Sequence, residues 1–376
     1  MSIAICIICY NRPDSLRRVF GSIERGCYDG DKVDLIVSID YSGRDDVRNV
    51  ADQLVWSHGD KRIVAYRHNL GLRSHVLKCG EFTKEYDGLI VLEDDVFVAP
   101  SFYLYARACV EKYSSDDRIA GVSLYSFGVN YHNMLPFVPL RSESDVYLMQ
   151  NAQSWGQVWM PKQWSEFIDW YGNNNGDFHE MPHLPKSICS WKKSWLKYHT
   201  RYCIERDKFF VYPYVSLSTC FSDEGEHTAG ASTIVQVPLL HGVKRDYRLS
   251  PSVCYDSFFE NVNLADFLGF ADPEELCVDI YGEKDDRQER RYWLTRKIAD
   301  YRILHSYGLR LKPVEQNIFN EVSGTDVFLY DVSESSPNRI KHSPFGFEQY
   351  LYNDFSGIKK SSKILFGKIL KRLRNR

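Results

Sequence analysis

Apolar runs and helix-spaced apolar positions alternate through the first third of the chain. The run Ile3–Cys9 is continuously apolar, as expected for a strand that is buried on both faces. Behind it, Leu16, Val19, Phe20 and Ile23 recur at the spacing of one helical face. The change of period predicts a strand followed by a helix that packs against it.

The alternation continues to about residue 125. Further strands are predicted at residues 33–39, at residues 62–66 and from Leu89 onward, with helices at 45–56 and 74–84. Strands that alternate with helices form mostly parallel sheets covered on both faces. The fold class predicted is therefore α/β, with a doubly wound, mostly parallel sheet.

The pattern changes twice after residue 125. Residues 126–245 lose the alternation and hold six of the eight tryptophans. Beyond them, residues 290–305 read as a helix, 327–330 as a short strand and 333–338 as a loop, so an α-rich extension is expected. We therefore divide the chain into a domain of residues 1–245, with halves 1–125 and 126–245, an extension of residues 246–357, and a terminal segment of residues 358–376. The extension is interpreted as an acceptor domain, an oligomer contact or a scaffold.

The terminal segment 358–376 is strongly basic. It holds eight Lys or Arg and no acid, and its apolar residues fall near one face of a helix. Such a basic amphipathic helix is typical of attachment to an anionic membrane surface, where each basic residue contributes about 1 kcal/mol. An unfolded tail, or a helix docked on its own domain, remains the alternative.

Composition narrows the function and the location. The net charge of −3 carries no nucleic-acid signature. Cys6 and Cys9 stand three apart on a strand and point to opposite faces, so they cannot chelate one metal together and are interpreted as reduced thiols. No signal-peptide core or membrane-spanning run is evident. The chain is expected to be cytoplasmic, and peripheral on the inner face of the cell membrane.

Polar residues follow three of the predicted strands. They are Asn11 and Arg12 after the first strand, Asp40 after the second, and the acids Glu93, Asp94 and Asp95 after the strand that begins at Leu89. Open α/β sheets bind ligands at this edge. Crowded carboxylates raise one another's pKa unless a cation neutralises them, so either a divalent metal or a solvated acidic turn is expected at residues 93–95.

Five segments, in this order, resemble the signatures of GT-A fold, nucleotide-sugar-dependent glycosyltransferases. The likeness is to bacterial family 2-like enzymes and to N-acetylglucosaminyltransferase I, and it covers about residues 2–240. It is carried by residues 7–13 (IICYNRP), 38–40 (SID), 69–73 (NLGLR), 91–95 (VLEDD) and 154–159 (SWGQVW), with residues 213–217 (PYVSL) and 223–228 (DEGEHT) resembling the final active-site loop.

The resemblance implies a role for each matching position. Asp95 is expected to ligate Mn²⁺ or Mg²⁺, and such hard cations suit carboxylate and diphosphate oxygens. Glu93 and Asp94 are expected to serve the ribose and the sugar side of the donor. The remaining donor contacts implied are Asp40 at the nucleobase, Arg12 and Arg73 at base or phosphate, Asn11 beside them, His227 closing over the donor, and Trp155 at the sugar or the acceptor.

The catalytic base is the position at which the chain departs from the family. The bacterial relatives commonly place an Asp two residues before a Trp, whereas this chain has Cys189 before Ser190 and Trp191. A thiol of ordinary pKa is mostly protonated and is a poor base. Asp177 and Glu180 are therefore the first candidates for the base, and Asp169, Asp223 and Glu224 are further ones; an impaired domain is the remaining explanation.

The function predicted is metal-dependent, inverting transfer of a hexose or N-acetylhexosamine from a UDP-sugar. The acceptor expected is a glycan, polyprenyl-diphosphate-linked in the basic-tail interpretation, as in bacterial O-antigen or capsule synthesis. The rivals are a sugar nucleotidyltransferase and a glycan-binding protein on a decayed transferase fold. Residues 10–13 lack the Gly-rich phosphate loop expected of the first rival, whereas Cys189 favours the second.

Overall fold

The structure is a computed structural model of the chain. It describes residues 1–181, 183–192, 194–221, 223, 234–284, 289–340, 345–352, 362 and 366. The predicted terminal helix at 358–376 therefore lies almost entirely outside the described residues. Within the described part of the chain, no helix combines the length and the apolar character needed to cross a membrane.

The first third of the chain alternates strands and helices as predicted. α1 begins with Pro13 in its first turn and buries Leu16, Val19, Phe20 and Ile23, the apolar face seen in the sequence. The elements are β1 (Ile3–Cys9), α1 (Pro13–Glu24), β2 (Asp34–Ile39), α2 (Asp46–Gln53), β3 (Lys61–Ala65), α3 (Leu72–Gly80), β4 (Gly88–Glu93), β5 (Val96–Val98), α4 (Phe102–Tyr113) and β6 (Ile119–Ser123).

The middle of the chain adds strands to the same sheet. Its elements are β7 (Val129–Asn130), β8 (Leu135–Pro136), β9 (Val146–Met149), β10 (Gln157–Trp159), α5 (Pro161–Asn174), α6 (Lys186–Cys189), α7 (Leu196–Glu205), β11 (Phe209–Pro213) and β12 (Ser218–Cys220). β10 runs antiparallel between β4 and β6. Trp159 is therefore a strand residue, stacked on Trp164 with 4.0 Å between the ring centroids, and does not share a helical face with Trp155.

The described residues form one sheet of nine strands, in the order β13-β9-β11-β6-β10-β4-β1-β2-β3, where β13 is Cys254–Tyr255. The pairs β1–β2, β1–β4, β2–β3, β6–β11 and β9–β13 are parallel, which confirms the predicted α/β sheet. Separate apolar layers cover its two faces, and Cys6 and Cys9 lie in different layers. The two thiols therefore point apart, as expected.

The extension differs from the prediction. Residues 290–305 are not helical, because they form β15 (Tyr292–Thr295) and part of β16 (Tyr301–Tyr307). These strands join β14 (Leu276–Asp279) and β17 (Val327–Ser335) in a four-stranded sheet, so the α-rich expectation is wrong. β17 pairs with both β15 and β16, and this long-range pairing overrides the local helical pattern. The short helices α8 (Leu264–Phe267), α9 (Glu315–Phe319) and α10 (Gly346–Leu351) complete the region.

Candidate active site

The register of the central strands brings the predicted polar residues to one edge. Cys9 at the end of β1 pairs with Ile39 at the end of β2, and Ile8 pairs with Glu93 at the end of β4. The residues that follow these three strand ends are therefore neighbours. Asp94 and Asp95 occupy the turn between β4 and β5, directly beyond the sheet.

Arg12 is the counter-charge of this turn. Its guanidinium donates to Oδ1 of Asp94 and, at 3.2 Å, to Oδ2 of Asp95. Asp94 is 3% exposed and Arg12 25%, so the pairs are largely removed from water. Burial by itself would lower the pKa of Arg12, but the charges of Asp94 and Asp95 raise it above its ordinary value.

The acidic turn has perturbed protonation. Burial raises the pKa of Asp94 to about 6, although Arg12 opposes the shift. Burial, with repulsion from Asp95 and Asp94, raises the pKa of Glu93 well above its ordinary value, while Arg12 and a hydrogen bond with the Ser154 side chain oppose the rise. The turn therefore holds more negative charge than one guanidinium compensates.

Asp95 offers the atom that a cation would use. Its Oδ1 is buried and has no hydrogen-bond partner among the described residues, whereas its Oδ2 receives Arg12. A buried carboxylate oxygen without a partner is costly, and a hard divalent cation prefers such oxygens. No three His, Cys, Asp or Glu side chains converge on a metal position in the described parts of the chain. The site thus fits a cation held by a single carboxylate and by oxygens of the ligand.

The late segment that resembles the final active-site loop lies against this turn. β12 pairs antiparallel with β5, and the backbone N–H of Phe221 donates to the carbonyl of Asp95 at 2.8 Å. Asp223 then accepts hydrogen bonds from Ser15, at 2.6 Å, and from Arg18 of α1. These bonds outweigh burial and lower the pKa of Asp223. Asp223 is therefore tied to α1 as an ionised partner, which disfavours it as a base.

The remainder of that loop is not described. His227 and Glu224 lie outside the described residues. The predicted closure of His227 over the donor stays a prediction. Arg18 was not expected from the sequence, since its helix was identified only by the apolar face on the opposite side.

Asp40 holds a loop with its carboxylate. Oδ1 accepts the backbone N–H groups of Tyr41 and Leu70, both at 2.8 Å, and Oδ2 accepts that of Gly71 at 3.0 Å. Gly71 has a φ of +77°, a conformation that favours glycine. Three of the roughly four lone-pair positions of the carboxylate are thus occupied. Asp40 shapes the 69–71 turn that precedes α3.

A cleft of about 500 Å³ opens beside Asp40. Its floor is formed by side chains of β3, and charged and aromatic side chains line its rim: Tyr41, Arg44, Arg48, Tyr66 and Arg67. Sequence reasoning missed Arg67, although it stands just after β3 as Asp40 stands just after β2. The rule that polar residues follow parallel strands would have found it.

Arg73 reaches away from the acidic turn, toward the second half of the domain. Its guanidinium lies 4.6 Å from the ring centroid of Tyr198, and Nη2 is 3.5 Å from the carbonyl of Lys192. The structure places Arg73 between the Asp40 loop and α7. Asn11 is exposed at the end of β1, beside Arg12.

Trp155 lies next to the acidic turn through its neighbour Ser154. Its ring packs edge-on against Tyr125 at 4.8 Å, and its carbonyl accepts the hydroxyl of Ser218 at 2.5 Å. The ring is half-buried. The 154–156 segment is thereby fixed between β4 and β12, with Gly156 at a φ of +104°.

The two candidate bases are exposed residues in the segment after α5. Asp177 accepts from Nζ of Lys197 at 2.6 Å, and this hydrogen bond lowers the pKa of its carboxyl group. Glu180 is exposed. Cys189, by contrast, is 2% exposed, and burial raises the pKa of its thiol. The structure therefore gives no support to Cys189 as a base.

A charged turn at the carboxyl edge of a parallel sheet, beside a cleft and a buried unpaired carboxylate oxygen, defines an α/β protein built to bind an anionic ligand. Residues 4–179, a little under half of the chain, match the model of the family described as glycosyl transferase family 2. This segment is a glycosyl transferase family 2 domain, which assigns the chain to the glycosyltransferases that use nucleotide sugars. No curated protein matches the whole sequence significantly.

Several solved structures overlap the chain loosely. Residues 1–349 of TarS from S. aureus, in complex with UDP-GlcNAc, are 12% identical with a TM-score of 0.39, and the overlap covers 60% of each chain. The mannosyltransferase PcManGT from Pyrobaculum calidifontis, in complex with GDP-Man and Mn²⁺, is 12% identical with a TM-score of 0.35, covering 57% of this chain and 56% of that one. GalNAc-T7 with UDP, GalNAc and Mn²⁺ is 12% identical with a TM-score of 0.38, covering 57% and 42%. The chain thus spans at most 60% of the length of these structures.

Proposed function

We propose that the chain transfers a hexose or N-acetylhexosamine from a UDP-sugar to a glycan acceptor, with a divalent metal and with inversion at the anomeric carbon. The observation that carries the proposal is the buried, unpaired Oδ1 of Asp95 beside the Arg12–Asp94 ion pair. A diphosphate and its metal bring positive charge and oxygen ligands to a turn that has an excess of carboxylates. The family 2 domain supports the same reaction class.

Each part of the site receives a role in this proposal. Asp95 holds Mn²⁺ or Mg²⁺, and the cleft beside Asp40 takes the nucleobase. Glu93 and Asp94 face the ribose and the sugar. Further donor contacts are proposed for Asn11, Arg12, Arg73, Trp155 and His227.

The reaction is a single displacement. The acceptor oxygen forms a bond to the anomeric carbon while the bond from that carbon to the diphosphate breaks, and UDP leaves with the electron pair. The acceptor proton passes to a carboxylate on the opposite face of the sugar. A bound metal supplies charge stabilisation of the departing diphosphate. Arg12 stands at the same turn and offers a second positive group to it.

UDP release tests the proposal. The purified protein is incubated with UDP-glucose, UDP-galactose, UDP-GlcNAc and UDP-GalNAc, with Mn²⁺ or with EDTA. We expect metal-dependent UDP release from at least one donor, and its loss in Asp95→Ala. Asp14→Ala is the control, because Asp14 is an exposed acid on α1 that pairs only with Arg17 among the described residues.

The rivals give different outcomes in the same experiment. No UDP release from any donor, together with retained glycan binding, would favour the decayed transferase fold. Release of pyrophosphate from UTP and a sugar phosphate would identify a nucleotidyltransferase. Full activity of Asp95→Ala would remove the metal assignment.

We also propose that the acceptor is lipid-linked, and that residues 358–376 hold the protein on an anionic membrane surface at the cytoplasmic face. The proposal is supported by the eight basic residues of this segment and the absence of acids. A chain ending at Ser356 is expected to lose sedimentation with phosphatidylglycerol vesicles at low salt while its UDP release is kept. Equal sedimentation of the two chains would contradict it. The domain division at residues 245 and 357, and the role of the extension in acceptor binding or oligomer contact, stay proposals.

A further inference from the structure

The position at which the family resemblance expects an acid carries Cys189, but a carboxylate lies nearby. The backbone of Met181 hydrogen-bonds with the Cys189 thiol, so the segment after α5 folds back onto α6. Asp177 belongs to this segment, four residues before Met181. An acid absent from α6 is thus replaced by one that the preceding loop brings alongside.

Lys197 of α7 holds that acid. The lysine side chain is 0% exposed, whereas the Asp177 side chain is 54% exposed. Nζ donates to Oδ1 of Asp177 at 2.6 Å and to the carbonyl of Phe178 at 3.1 Å. The ammonium group also lies 4.5 Å from the ring centroid of Phe178. A buried lysine is costly unless it is paired, so this arrangement fixes the carboxylate on one side and leaves the other side open to solvent.

A chain of contacts joins Asp177 to the donor edge. Asp40 holds Gly71, and Arg73 follows on α3 and lies over the ring of Tyr198. The Tyr198 ring packs against Phe178 at 5.4 Å, and Phe178 adjoins Asp177. The carboxylate therefore lies beyond Arg73, on the acceptor side of the domain.

We propose that Asp177 is the general base and that Lys197 is its positioning residue, so that the loop after α5 supplies the carboxylate that is missing at Cys189. This inference rests on the proposed glycosyl transfer. The acceptor O–H bond breaks as the oxygen bonds to the anomeric carbon, the proton goes to the free oxygen of Asp177, and UDP leaves with the electrons of the broken C–O bond. The product has the inverted configuration.

The first experiment moves the acid. UDP release, with water as the acceptor, is measured for the wild type, Asp177→Asn, and Asp177→Asn combined with Cys189→Asp. We expect Asp177→Asn to lower kcat by at least 100-fold with UDP affinity unchanged, and Cys189→Asp to restore at least a tenth of the wild-type rate. Asp60→Asn is the matched control, since Asp60 accepts from Lys32 at the same 2.6 Å at the opposite edge of the sheet.

The second experiment separates positioning from a purely structural role. Two charged groups act on Asp177: Lys197, whose hydrogen bond lowers its pKa, and the exposed His179, 3.6 Å away. Arg201 packs on the neighbouring Phe178. Lys197→Met removes the stronger of the two effects, so the acid limb of the kcat/KM profile is expected to move to higher pH by about one unit.

Lys208→Met is the matched control for that profile. Lys208 donates to Glu166 at 2.6 Å and to the carbonyl of Asp117 at 2.7 Å, which reproduces the pairing of Lys197 away from the site. Its variant is expected to keep the acid limb in place. Wild-type kcat in Asp177→Asn would overturn the inference, as would loss of transfer in Glu180→Gln alone. An inert wild type would instead contradict the proposed function itself.

Discussion

Arg12 donates from Nη1 to Oδ2 of Asp95 at 3.2 Å, while Oδ1 of the same carboxylate is buried without a partner among the described residues. One guanidinium therefore serves two acids, because its other nitrogen donates to Asp94. The turn is held together in the ligand-free chain by a cation that belongs to the protein. Its charge is still incomplete, which prepares the turn for a second cation.

Replacing Arg12 is expected to destabilise the fold. Arg12→Gln leaves Asp94 buried without its ion pair, and a buried charged group that loses its hydrogen-bond partner costs about 1–3 kcal/mol. The free energy of unfolding is measured in urea without metal or nucleotide. Arg17→Gln is the control, since Arg17 and Asp14 are exposed and such pairs are worth about 0–1 kcal/mol. An equal effect of the two variants would contradict the buried pair.

The protonation of Asp94 predicts how stability depends on pH. Burial raises its pKa from 3.8 to about 6. Between these values the folded state keeps a proton that the unfolded state releases, so stability falls as the pH rises from about 4 to 6. A shift of two units corresponds to about 3 kcal/mol. The same series of urea titrations on Asp94→Asn is expected to show a smaller fall, and an unchanged fall would contradict the assignment.

The acidic turn could be predicted from the sequence because its position depends on local pattern. An apolar strand ends at Glu93, and parallel strands bring their ends to one edge. The partners of the turn could not be predicted in the same way. Arg12 and Asp94 are 82 residues apart, and Ser15 and Asp223 are 208 residues apart. Their pairing depends on sheet order and on the β5–β12 ladder, which leave little local signal.

Asp40 predicts different results for two substitutions. Asp40→Ala removes the acceptor for the N–H groups of Tyr41, Leu70 and Gly71, and we expect a loss of about 2–4 kcal/mol. Asp40→Asn keeps an oxygen for the two bonds at Oδ1 and is expected to lose about 1 kcal/mol. Hydrogen exchange of residues 69–73 measures the loop directly, and faster exchange is expected in Asp40→Ala first. Similar exchange in both variants would contradict this role of the carboxylate.

The extension illustrates where local pattern misleads. Residues 290–305 carry apolar residues that suit either period, and the helical interpretation was wrong because β17 supplies strand partners on both sides. Arg67 is the opposite case. Its place after β3 was visible in the sequence, and only the attention given to acids concealed it. The buried Lys197 gave no local signal, since its burial arises from Phe178 and Tyr198 packing around it.

Gly80 ties α3, which carries Arg73, to the tryptophan layer below the sheet. A Cβ at this position would lie 2.0 Å from the ring of Trp164, which is itself stacked on Trp159. Neither ring can move freely in a packed core, so Gly80→Ala is expected to cost about 1–3 kcal/mol by overpacking and to weaken UDP binding through the displaced helix. Gly21→Ala on α1 is the matched control, because its Cβ meets only the flexible end of Arg25 at 3.4 Å. There we expect a gain of about 0.5–1 kcal/mol from helix propensity. Urea titrations followed by tryptophan fluorescence distinguish the two, and a stabilised Gly80→Ala would show that α3 does not depend on this close approach.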